Sequence, residues 1–237
     1  MIKRNEDEHI LRAIIHKTNR KFFIFIAIAI ILTQVPILGN YVRIINTLVH
    51  ESGHAFIGLL GGDVLEISLF ANTEGLTYTT TSSWVWGFLT SGAGYLFSSF
   101  IAFLSFWLIA KEKNTILIII LLSFIGLNLL FWVRNAYGVF WLASFGAGFL
   151  WMLYKGGTTV VRNVLILIAS ILLVESITST FEIMLLSFIQ PYSAGDATSL
   201  AKATVIIPVQ IWGVFFFVQA IWFCIVSLRL GIYKVKS

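Results

Sequence analysis

The stretch Asn46 to Phe56 reads Asn-Thr-Leu-Val-His-Glu-Ser-Gly-His-Ala-Phe, which contains a His-Glu-x-x-His element formed by His50, Glu51 and His54. On a helix, imidazoles four residues apart project from one face and can share a metal ion, and zinc is the ion this spacing predicts, one per chain. Glu51 precedes His54 by three residues and borders the same face, so it can reach a water at the metal without being a ligand. Zinc lowers the pKa of such a water to about 7 and polarises a carbonyl, while the glutamate takes the proton and passes it to a leaving amine. The predicted chemistry is hydrolysis of a peptide bond, with Glu51 as the catalytic residue.

A catalytic zinc takes three protein ligands and keeps one position open. The only cysteine, Cys224, lies in an apolar run, which excludes an intramolecular disulfide and a cysteine-based zinc site. The remaining histidines, His9 and His16, fall in a polar stretch and read as surface residues. The third ligand is therefore expected to be a carboxylate, and Asp63, Glu66, Glu74, Glu175, Glu182 and Asp196 are the candidates. Asp196 sits in a polar, small-residue stretch, Pro-Tyr-Ser-Ala-Gly-Asp-Ala-Thr-Ser-Leu-Ala-Lys-Ala-Thr, of the kind that dips inward or lines a cavity. The same position would also let it cap the following helix. Glu175 and Glu182 share a helical face and would serve either as partners of the histidines or as a polar contact between helices.

The elements that must position these groups are membrane helices. The chain has 237 residues, of which 58% are hydrophobic and 11% charged, against about 25% charged in an average soluble domain. Apolar runs of spanning length cover Phe22–Gly39, Tyr41–Leu60, Trp84–Ala110, Thr115–Val133, Ala136–Tyr154, Val160–Ile189 and Thr204–Leu228. Between the second and third, residues 63 to 80 alternate, turn at Asn72 to Gly75 and alternate again, which predicts a β-hairpin at the membrane face. The fold class expected is an all-α polytopic membrane protein of about six to seven transmembrane helices with one short hairpin after the His-Glu-x-x-His helix. Its parts are a polar N-terminal segment (1–21), one integral-membrane domain (22–230) and a basic tail (231–237). The first apolar run lacks a small-residue cleavage site and reads as a retained anchor.

Four runs separate the end of the second segment from the start of the seventh. Four is an even number, so the two ends lie at one membrane face and Asp196 can approach the histidines. The net charge of +5 resides mostly in flanking segments, which suits a membrane border and speaks against a nucleic-acid partner. Placing two histidines and a glutamate within a membrane segment is costly and itself argues for a function.

Residues His50 to Leu69 resemble the active-site helix and following strand of the site-2-protease-like intramembrane metallopeptidases, peptidase family M50, and more narrowly its M50B-like branch. The resemblance continues through Gly61–Gly62, Ala93–Gly94–Tyr95, Arg134–Asn135 and the late residues Asp196–Ala197, Leu200–Ala201, Thr204, Pro208 and Trp212, from about Asn46 to Leu228. It implies a zinc protease whose third ligand is an aspartate on a later helix, which here is Asp196. Better-known members carry Asn-x-x-Pro and Leu-Asp-Gly elements near that ligand; this chain has Gly195–Asp196–Ala197, and no PDZ-like insertion.

The expected function is an intramembrane zinc metalloprotease of the cell membrane acting on membrane-spanning or membrane-anchored peptides, with the lipid bilayer as its solvent. The hairpin would offer an edge strand to an unwound substrate or serve as a plain connector. A non-catalytic zinc scaffold and a metal carrier are the alternatives. Glu51 favours the enzyme, because a structural site has no need of a base.

Overall fold

The computed structural model describes residues 21–234. The polar segment predicted over 1–21 lies outside it except for Lys21, as do residues 235–237 of the predicted tail.

The chain begins with α1 (Lys21–Thr33) and α2 (Leu38–Gly61), which meet at 109°. Pro36 lies in the break, has no amide hydrogen to donate and disfavours helical geometry at Val35 before it. Ile37 takes φ 65°, which completes the reversal. These two helices form one broken span or a re-entrant pair, where the sequence predicted two separate spans. Five further helices are long and apolar enough to cross a membrane: α3 (Trp84–Ala110), α4 with its terminal π-helical turn (Asn114–Leu127 and Asn128–Trp132), α5 (Ala136–Lys155), α6 (Thr158–Ile189) and α8 (Val209–Lys234). The spans thus number five, or six with the bent pair. An even count places the flanking basic segments on one face, as the positive-charge bias at membrane borders favours.

The seventh span, predicted over Thr204–Leu228, starts five residues later, and a separate helix precedes it. A short helix, α7 (Gly195–Thr204), carries Asp196, and α8 starts only at Val209. Between them Val205 has φ 61°, and Pro208 precedes the new helix. The parity argument survives, because α3 to α6 still separate the end of α2 from α7.

Strands β1 (Gly62–Leu69) and β2 (Gly75–Thr81) form an antiparallel hairpin in which Asp63 faces Thr80 and Ile67 faces Thr77, with a bulge between Val64 and Glu66. The turn is held by the Glu74 amide donating to Asn72 Oδ1, 3.2 Å. On its outer edge β1 is already engaged: Ile67 bridges Val133, and Asn135 donates to the Leu69 carbonyl (2.6 Å) and accepts from the Leu69 amide (3.2 Å). Among the described residues no strand pairs with the outer edge of β2.

Helix α2 is the centre of the molecule, with Ile44, Leu48, Val49 and Ala55 almost fully buried against α3, α6 and the hairpin. On the outside, Leu130, Phe131, Phe140, Trp151 and Trp222 are more than half exposed. In water that distribution would be unstable; against lipid it costs nothing.

Candidate metal centre

Helices α2 and α3 approach closely through small residues. A Cβ added at Gly53 would lie 2.7 Å from Phe97 Cβ and 3.1 Å from the Ala93 carbonyl, which is the close backbone packing that small residues permit between membrane helices. This contact brings the carbonyl of Thr90 on α3 to His54, 2.7 Å from Nδ1. A carbonyl only accepts, so Nδ1 carries the proton and Nε2 presents its lone pair.

The His50 and His54 Nε2 atoms lie 3.0 Å apart. Asp196 Oδ2 is 3.3 Å from the first and 3.2 Å from the second. Vertices of a tetrahedron with bonds of about 2.0–2.1 Å are separated by about 3.3–3.4 Å, so the three atoms match three corners of a zinc site. Asp196 Oδ2 is buried and accepts no hydrogen bond. With Nδ1 of His54 donating to Thr90, the Nε2 of His54 and the Asp196 carboxylate converge as acceptors beside the Nε2 of His50, an arrangement that a cation satisfies. Gly94 leaves the room: a Cβ there would stand 2.5 Å from His50 Cε1, His50 Nε2 and His54 Nε2. The donor set of two imidazoles and one carboxylate therefore fits a zinc ion, and these are the residues among those described that cluster as a metal site.

Asp196 reaches the histidines because α7 folds back between α6 and α8. Gly195 has φ 50°, a left-handed conformation that glycine adopts without strain, and it turns the chain into α7. The turn is tied by Thr198, whose Oγ1 accepts from the Ala194 amide (3.1 Å) and donates to the Pro191 carbonyl (2.6 Å). Capping thus falls to Thr198, and Asp196 is free to face the histidines. Trp84 Nε1 donates to the Ala203 carbonyl (2.6 Å), fastening the far end of α7 to α3.

Glu51 is buried beneath the hairpin. Thr77 on β2 donates to Glu51 Oε2 at 2.6 Å, while Oε1 has no hydrogen-bond partner among the described residues. From behind, Asn128 in the π-helical turn donates to Ser52 Oγ (2.8 Å) and Ser52 donates to the Leu48 carbonyl (2.7 Å), which fixes the rotation of α2. A cavity of about 390 Å³ opens over the centre and is lined by His50, Glu51, His54 and Asp196 together with Leu76, Thr77 and Thr79 of β2.

The other candidate carboxylates lie outside the cluster, with Asp63 exposed on β1. Glu175 pairs with Arg43 at 2.7 Å, and Glu66 accepts from Ser68 at 3.0 Å. Glu74 and Glu182 line a neighbouring cavity. His9 and His16 lie outside the described residues. Tyr95, quoted above only as part of the Ala93–Gly94–Tyr95 resemblance, stands edge-on to His50 at 4.4 Å between ring centroids. The Thr77 contact to Glu51 was not singled out from the sequence, because it is made across elements.

A bundle of membrane-length helices that encloses a His-Glu-x-x-His helix and meets it with a late aspartate has the architecture of a membrane-embedded metallopeptidase. The chain belongs to the peptidase M50B-like family, whose model matches residues 23–227 and so takes in the bundle and the whole centre. No curated protein and no solved structure matched the chain.

Proposed function

We propose that this protein is an intramembrane zinc endopeptidase of the cell membrane that cuts membrane-spanning or membrane-anchored peptides. His50, His54 and Asp196 hold the metal, and Glu51 is the general base and acid. The observation that carries this reading is the convergence of two imidazole nitrogens and one carboxylate oxygen 3.0–3.3 Å apart beside a buried glutamate with one unengaged oxygen. A zinc ion held there supplies Lewis-acid polarisation of the peptide carbonyl and acidification of the attacking water.

Glu51 takes the water's proton on Oε1 while Thr77 holds Oε2, so the carboxylate keeps its orientation as it charges and discharges. The same oxygen returns the proton to the leaving amine. Thr90 fixes the His54 ring through Nδ1. The edge of β2 receives the substrate: a peptide must be unwound for its carbonyl to be attacked, and strand addition supplies that extended form directly above Glu51. Occupation of β1's other edge by Val133 and Asn135 leaves β2 as the side on which a strand can add.

Comparative membrane proteomics of cells carrying the wild type or Glu51→Gln tests this function. One or more membrane proteins should accumulate uncut in the variant. Identical membrane proteomes would refute a proteolytic role.

A further inference from the structure

Asn46 lies on α2 one helical turn before His50 and is only 6% exposed. Its Oδ1 is buried without a hydrogen-bond partner, and no bond to its Nδ2 is found among the described residues. The amides that frame the centre are employed through their nitrogens, Asn128 donating to Ser52 and Asn135 to Leu69; Asn114, Asn128, Asn163 and Gln219 also bury an unpartnered oxygen, but of these five only Asn46 lines the cavity beside the centre. An unpaired carboxamide in such a place costs about 1–3 kcal/mol, an expense that a ligand can relieve.

Asn46 faces a second cavity, of about 380 Å³. That cavity adjoins the one over the metal centre, and His50, Glu51, Gly75, Tyr95 and Gly195 line both. A peptide whose scissile bond lies at Glu51 finds this cavity next to it on one side. Each residue of an extended peptide offers one amide hydrogen and one carbonyl, and a carboxamide complements both at once.

The charge of the cavity is also one-sided. It is lined by four carboxylates, Glu51, Glu74, Glu175 and Glu182, against the single guanidinium of Arg43. Arg43 is spent on Glu175 at 2.7 Å. Glu74 and Glu182 are exposed at the cavity's rim and make no hydrogen bond or ion pair through their carboxylates among the described residues.

We infer that this second cavity is a substrate subsite in which Asn46 grips the main chain of the extended peptide next to the scissile bond, while Glu74 and Glu182 select a lysine or arginine side chain. The inference rests on the peptidase reading and adds a substrate preference to it.

The test uses full-length Glu51→Gln protein in lipid nanodiscs, loaded with zinc. The probe is a mixture of synthetic peptides with randomised positions on either side of an apolar centre, and retained peptides are identified by mass spectrometry. Lysine and arginine should be enriched several-fold at one fixed position. Adding Asn46→Ala should lower retention of all peptides by about ten-fold or more, the loss expected for two main-chain hydrogen bonds. Zinc content should not change, and Tm should not fall, because the removed amide had no partner to lose. Glu74→Gln with Glu182→Gln should abolish the lysine and arginine enrichment and leave retention of other peptides intact. Unchanged retention in Asn46→Ala, a lowered Tm in that variant, or enrichment that survives the double substitution would each overturn the subsite. Wild type is assayed beside these for cleavage of the same mixture. Cleavage without the retention changes defeats the subsite alone, whereas a protein that neither binds zinc nor cleaves defeats the peptidase reading beneath it.

Discussion

Gly94 and Asp196 define the metal centre at the scale of single residues. Gly94 is the floor under the two imidazoles, and any side chain there would occupy the space their Nε2 atoms share. Replacing a mid-helix glycine by alanine normally stabilises a helix by roughly 0.5–1 kcal/mol. Gly94→Ala should nevertheless lose zinc, measured by elemental analysis, while the purified protein stays folded by circular dichroism; full zinc occupancy would show that the imidazoles converge elsewhere. Asp196→Ala should weaken zinc binding by at least the ~10–100-fold that follows loss of an outer partner of a metal ligand. Competition with a fluorescent zinc chelator measures it, and unchanged affinity would remove Asp196 from the ligand set. Both histidines and Glu51 were legible in the sequence because helical periodicity alone places them together. Asp196 was one of six carboxylates on chemistry; parity and its polar stretch brought it forward, and the family resemblance strengthened that choice. The structure adds the reason it is available, which is that Thr198 does the capping.

Among the elements, the hairpin and the segment from Asn128 to Asn135 act as a frame. That segment holds α2 through Ser52 at one end and β1 through Leu69 at the other. Asn135→Ala removes two hydrogen bonds to the Leu69 backbone and should loosen the hairpin by about 1–3 kcal/mol. Hydrogen exchange across residues 62 to 81 should accelerate and cleavage should slow, with zinc content unchanged; unaltered exchange would show that the bridge at Val133 suffices. The hairpin was legible from alternation and from the turn at Asn72 to Gly75. The break at Pro36 was not, because an apolar run reads the same whether it crosses the bilayer or folds back after a few turns. The stretch around Asp196 was legible as an inward-dipping or cavity-lining element before the span at Thr204, but not as a helix of its own, since its small polar residues carry no apolar periodicity. Contacts such as Thr77 to Glu51 depend on how the hairpin lies on α2, and no local pattern encodes that.

At the scale of the whole molecule, a metal ion held by this cluster would join distant parts of the chain. His50 and His54 come from the central helix and Asp196 from a short helix late in the chain, so a bound ion ties the first third of the bundle to the last. A ligand that binds only the folded state stabilises it by about 2.7 kcal/mol at a concentration one hundred times its dissociation constant. Chelation should therefore lower Tm in detergent or nanodiscs, and added zinc should restore it; a Tm indifferent to zinc would mean that the ion, if bound, bridges nothing. Composition made the membrane setting legible, since 58% hydrophobic residues cannot be buried by a chain of this length in water. The cavities were not legible, because they are the space left over when α2, α3, α6, α7 and the hairpin meet.

The central claim is that His50, His54 and Asp196 hold the zinc and that Glu51 moves the proton. It is tested most directly by purifying wild type and Glu51→Gln side by side and measuring zinc per chain and cleavage of one unfolded, apolar-centred peptide substrate in the same preparations. The expected result is one zinc per chain in both proteins, cleavage by the wild type, and loss of at least ~10²-fold of that activity in the variant, the lower end of general acid–base contributions. Equal cleavage by the two proteins at equal zinc content would contradict the account.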